Sequence, residues 1–91
     1  DLTERTMRLE PLADKWRAFG WAVRELDGHD HGELVQTLES VPFERGRPSC
    51  VIAHTHKGHG ISFATDHVDW HHHVPSADEF QRALAELEAS A

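Results

Sequence analysis

The run Val51-Ile52-Ala53 is short, apolar, rich in β-branched residues and bounded by turn formers. Those properties predict a buried β-strand of the parallel-sheet kind, because the run is too short and too branched for a helix. Directly after it come His54, Thr55, Lys57 and the glycine pair Gly58 and Gly60. Open α/β sheets place their ligands beyond the carboxyl ends of the strands, which makes this turn a candidate site. Glycine lets a backbone approach a ligand closely, and an adjacent lysine supplies a point charge for phosphate. A second polar cluster, Trp70-His71-His72-His73, stands just before Pro75. The stretch 50–75 therefore sets the fold and gathers the chemistry, and the rest reads as scaffold.

That scaffold alternates helix and strand. Residues 1–9 are polar with little periodicity and read as a frayed or connecting segment. Pro11 suits a first helical turn, Leu12, Trp16 and Phe19 recur at helical spacing, and Gly20 is placed to end the helix. They predict a helix over 10–19 with one aromatic-rich buried stripe and a left-handed cap. Trp21–Leu26 alternates apolar and polar residues, as a strand does, and Asp27-Gly28-His29-Asp30 marks a tight reversal. Asp30 and Glu33 resemble a capping box opening a helix over 31–40, with Leu34, Val35 and Leu38 as its inner face. The loop 41–49 then leads to the second strand. Strand, helix, strand in that order predicts a right-handed βαβ unit with parallel strands. Ser76 and Glu79 form another capping box for a final helix. Its apolar side carries Phe80, Ala83, Leu84 and Leu87, while Asp78, Glu79, Glu86 and Glu88 are expected to stay wet. Parallel sheets rarely stop at two strands, so the expected fold class is α/β, part of a larger parallel-sheet domain.

Composition narrows the function. With 91 residues the chain is one small domain at most. A formal charge of -7 weighs against nucleic acid or an anionic membrane as partner. No apolar run approaches the ~20 residues that span a bilayer, and no signal-peptide pattern opens the chain. The single cysteine, Cys50, excludes an internal disulfide and fits a reducing compartment, so a cytoplasmic location is expected. Nine histidines remain to be explained. They read either as exposed polar side chains or as a metal site, although no C-x-x-C or H-E-x-x-H spacing is present. The K-G-x-G turn reads either as an anion-binding turn or as a solvated loop, and the order of a P-loop is absent.

Several motifs taken together carry a family resemblance. They are Glu10-Pro11-Leu12-Ala13-Asp14-Lys15-Trp16, Phe19-Gly20-Trp21, Asp27-Gly28-His29-Asp30, Ala53-His54-Thr55, Lys57-Gly58 with Gly60, and Trp70-His71 with Pro75. In order and separation they resemble the last third of the amino-terminal, diphosphate-binding domain of thiamine-diphosphate-dependent transketolases. The likeness is greatest to the split form, in which that domain is a separate chain. Residues 1–91 then correspond to the carboxy-terminal portion of a parallel-sheet thiamine-diphosphate-binding domain, incomplete on its own.

The resemblance implies roles residue by residue. Lys57 matches a lysine beside the cofactor diphosphate. His71 matches the histidine of the family's Trp-His-Gly-type motif, which contacts both the diphosphate and the substrate oxygens, making it the catalytic candidate. Asp27–Asp30 match a mainly structural turn. His72 and His73 are expected to point elsewhere or lie at the rim. Members usually carry lysine where this chain has His59, and glycine or an aromatic residue where it has His72. The implied reaction is transfer of a two-carbon ketol unit between sugars, with thiamine diphosphate breaking the C–C bond. Magnesium or calcium would complete the cofactor site, its ligands coming from a G-D-G…N motif expected upstream of Asp1. The implied partners are the rest of the amino-terminal domain, a pyrimidine-binding domain or subunit, and sugar substrates. Two other readings stand beside this one, a non-catalytic transketolase-like assembly module and a histidine-rich metal-binding domain.

Overall fold

The computed structural model describes residues 2–91. The chain divides into two compact units, Thr3–Thr55 and His56–Ala91.

The first unit contains three helices, α1 (Thr3–Thr6), α2 (Leu12–Ala18) and α3 (His31–Glu39), and two strands, β1 (Ala22–Asp27) and β2 (Ser49–His54). The strands pair in parallel from Ala22 opposite Ser49 to Asp27 opposite His54, so the α/β class and the strand–helix–strand order both hold. Helices α2 and α3 pack on β1, and Ala13, Ala22 and Leu26 are the buried residues of this unit. The chain reaches β1 through a Schellman end to α2. Gly20, at φ 94°, donates its N–H to the Arg17 carbonyl at 2.9 Å, and Trp21 donates to the Trp16 carbonyl at 3.3 Å. The reversal brings Trp21 against Trp16, with ring centroids 5.1 Å apart and planes at 79°. An edge-to-face aromatic pair of this kind adds about 0.5–1.5 kcal/mol beyond its burial.

That geometry corrects one expectation. Phe19 is not part of a buried stripe but is 81% exposed, because Trp21 takes the place beside Trp16 that helical spacing assigned to it. The opening segment also differs. Residues 3–6 form a helical turn, held by the Glu4 carboxylate, which accepts the Leu9 and Glu10 N–H groups at 2.7 and 2.9 Å. Those two donors, Glu10 first, hold the Glu4 carboxyl below the ordinary range.

The reversal after β1 is structural, as expected. Asp27 accepts the His29 N–H at 2.9 Å, and the Gly28 N–H reaches the His54 carbonyl at the end of β2 at 2.8 Å. Asp30 caps α3, its Oδ1 accepting the Glu33 N–H at 3.0 Å. The inner face of α3 departs from expectation, since Val35 and Leu38 are 56% and 60% exposed and only Leu34 is half-buried. Apolar residues left in water, beside a two-stranded sheet with open edges, predict poor autonomy. The isolated 91-residue chain should melt without a cooperative transition, which scanning calorimetry would check. A sharp transition from a soluble monomer would overturn this.

The second unit holds a compact loop from His56, a 3₁₀ turn (Val68–His72) and the long helix α4 (Ala77–Ser90). The capping box foreseen for α4 is complete. Ser76 Oγ accepts the Glu79 N–H at 3.2 Å, and Glu79 Oε1 accepts the Ser76 N–H at 2.8 Å. Phe80, Ala83, Leu84 and Leu87 form one side of an apolar groove of about 230 Å³ that Ile61, Phe63 and Trp70 also line. Among the described residues no helix is long and apolar enough to cross a membrane.

Candidate functional site

Both residues singled out from the sequence, Lys57 and His71, lie in the second unit. Lys57 opens a tight fold-back. Its carbonyl accepts the Asp66 N–H at 2.8 Å, and the Thr65 hydroxyl bonds the Gly58 and Ile61 carbonyls at 3.0 and 2.9 Å. Gly58 has φ 73°, and a Cβ built there would collide with the backbone carbonyl of Ala64. Glycine at this position is thus required by the loop's closure on itself, a reason the sequence alone did not show.

The Lys57 ammonium lies over the start of the 3₁₀ turn. Its Nζ donates to the Val68 carbonyl at 3.3 Å and to the His67 carbonyl at 3.5 Å. One of its three N–H groups is left for a further acceptor. The turn thereby tied to Lys57 is the one that carries His71. Trp70 anchors that turn, as expected, with its ring 5.5 Å from Phe63 and 4.3 Å from His73. His71 and His72 are exposed, and among the described residues neither has a hydrogen-bond partner.

His73 differs from its neighbours in having partners. Its Nε2 donates to Glu79 Oε1 at 3.2 Å, and its ring meets Trp70 edge-on at 79°. It is exposed, as its neighbours are, and bonded to the first turn of α4. Glu79 is not simply wet either. The Ser76 N–H first, and then His73, hold its carboxyl below the ordinary range. One further turn pair along α4, Glu86 accepts the Ser62 hydroxyl at 2.6 Å and the Ser62 N–H at 2.7 Å. The hydroxyl, followed by the N–H, lowers its pKa in the same direction. Two carboxylates of one helix thus grip the two loops that carry Lys57 and His71. The seven-residue spacing that puts Glu79 and Glu86 on one side of α4 was readable, but nothing local signalled their partners.

The remaining histidines are dispersed. His54 pairs with Glu25 at 2.9 Å across the strands, and His56 pairs with Asp66 at 3.1 Å. Among the described residues no three His, Cys, Asp or Glu side chains converge in a metal-binding group. The histidine-rich metal-site reading therefore finds no cluster to rest on.

Lys57 thus keeps one N–H for a further acceptor, and His71 has no hydrogen-bond partner among the described residues. No protein-family model matches the chain. Individual relatives do. An apulose-4-phosphate transketolase subunit of Actinobacillus succinogenes is 47% identical over 85 residues, 93% of this chain. The protein of the same name from Phocaeicola vulgatus is 38% identical over 85 residues, again 93% of this chain. The 6-deoxy-6-sulfo-D-fructose transketolase subunit SqwG of a Clostridium species is 41% identical over 86 residues, 94% of the chain.

The chain is homologous to transketolases over nearly its whole length. These names are consistent with the split form that the sequence motifs resemble. All three are named as subunits, which implies partner subunits for those proteins. The chain spans about 30% of the length of these curated relatives.

Proposed function

We propose that residues 1–91 form the carboxy-terminal portion of the diphosphate-binding region of a split, thiamine-diphosphate-dependent transketolase, with Lys57 and His71 facing cofactor and substrate. The observation that carries this reading is the tie between Lys57 and the His71 turn, 3.3 Å from Nζ to the Val68 carbonyl. It joins Lys57 to the turn that carries His71, the two residues that the resemblance assigns to one ligand.

Thiamine diphosphate, when bound, supplies the electron sink that lets a ketose C–C bond break. The chain's own residues fit one end of such a group. Lys57 turns its remaining N–H toward a phosphate oxygen, adding a charge-assisted contact. His71, exposed and without a hydrogen-bond partner among the described residues, can donate to or accept from sugar oxygens as their charge changes. The divalent metal, magnesium or calcium, has its ligands outside these residues. A pyrimidine-binding subunit completes the enzyme, which transfers a two-carbon ketol unit between sugars. The relatives' names point to phosphorylated or sulfonated sugars as the substrate class.

Lys57→Ala in the complete assembly tests the first role. Thiamine diphosphate binding should weaken by about 1–3 kcal/mol, the scale of a lost charge-assisted hydrogen bond. Titration calorimetry measures it directly. Unchanged affinity would leave Lys57 as a clamp on the Val68 and His67 carbonyls and nothing more.

A further inference from the structure

We propose that His73 is a positioning residue, holding the 3₁₀ turn in the conformation that presents His71. The inference rests on the role proposed for His71 and adds a residue that sequence reasoning set aside.

Three observations converge on it. His73 Nε2 lies 3.2 Å from Glu79 Oε1, so the turn is bonded to the first turn of α4. The same Oε1 takes the Ser76 N–H at 2.8 Å, which fixes the acceptor in space before His73 reaches it. On its other side the imidazole sits edge-on to Trp70, centroid to centroid 4.3 Å, and Trp70 is the residue directly before His71. The chain from Trp70 to His73 is therefore closed at both ends, by the indole and by α4, with His71 and His72 projecting between.

The chemistry sets the direction of the bond. Glu79 is held as a carboxylate by its N–H donor and can only accept, so His73 must present Nε2 with its proton. Alanine at position 73 removes both the donor and the ring edge at once. Glutamine keeps a donor without the ring, and phenylalanine keeps a ring without the donor.

The test uses the complete assembly and two readouts. The first is hydrogen–deuterium exchange of the backbone over 68–76 in cofactor-free protein. His73→Ala should raise uptake there severalfold, with the last turns of α4 unchanged, while His72→Ala should change nothing. The second is a kinetic cycle with His71→Ala. His73→Ala alone should lower kcat/KM by about 2–13-fold, the scale of one typical lost hydrogen bond. Combined with His71→Ala it should cost nothing more, because coupled residues are non-additive. His73→Gln should recover part of both effects. Unchanged exchange, exchange raised along all of α4, or losses that multiply in the double variant would each overturn the proposal. A silent His71→Ala would instead strike the proposed role of His71, and the exchange measurement would still judge whether His73 holds the turn.

Discussion

His71→Ala in the complete enzyme should lower kcat/KM for ketol transfer by about 10–1000-fold, or roughly 1.4–4 kcal/mol of transition-state stabilisation. The size follows from its setting. An exposed imidazole with no hydrogen-bond partner among the described residues contributes little to folding, so its removal should register in chemistry rather than in stability. The control is His72→Ala, the same deletion one residue along, on a side chain equally exposed and equally unpartnered. It should leave kcat/KM nearly unchanged. Steady-state kinetics on the two variants decides the matter. Equal losses would mean that the turn is being disordered, and a larger loss at His72 would mean that the roles within the cluster are misassigned. His73 cannot serve as the control that sequence reasoning would choose, because it is bonded to Glu79 and packed on Trp70.

The largest effect on stability is expected at Gly58. A side chain there meets two penalties at once, a left-handed backbone at φ 73° and a collision with the Ala64 carbonyl. Gly58→Ala should destabilise the complete assembly by about 2–5 kcal/mol, summing the left-handed cost and the overpacking cost. Gly20→Ala isolates the first of these. Its φ is 94° but nothing lies within 4 Å of the added Cβ, so it should cost only about 1–2 kcal/mol. Denaturant midpoints of both variants measure the difference. If Gly58→Ala proves no worse than Gly20→Ala, the close approach to Ala64 is not a constraint in solution.

The strand-helix-strand order was legible because it rests on local signals. The alternation in Trp21–Leu26, the apolar run at Val51 and the Ser76–Glu79 box each declare themselves within a few residues. The Lys57 and His71 loops were legible as polar clusters beside glycine and tryptophan, within a chain whose likeness to transketolase subunits covers nearly all of it. Other features were not readable, for physical reasons. Phe19 has the spacing of a buried residue, but whether the chain reverses before or after it depends on the hydrogen-bond pattern around Gly20. Val35 and Leu38 are apolar at the right period, and periodicity cannot say whether anything covers them. The histidines look alike in sequence, and which of them finds a carboxylate depends on residues 6 to 29 positions away. Contacts at that range leave no local trace.

Helix α4 has a practical consequence for anyone wishing to exchange these loops. Grafting loops between related enzymes is the usual shortcut, and here the natural boundaries would be drawn around 57–67 and 68–75. Such a graft would leave Glu79 and Glu86 behind, although Glu86 takes both donors of Ser62 and Glu79 takes His73. The exchangeable module is accordingly loop, turn and helix together, from His56 through the last turn of α4. A donor lacking either glutamate would deliver the right side chains on a frame that no longer aims them.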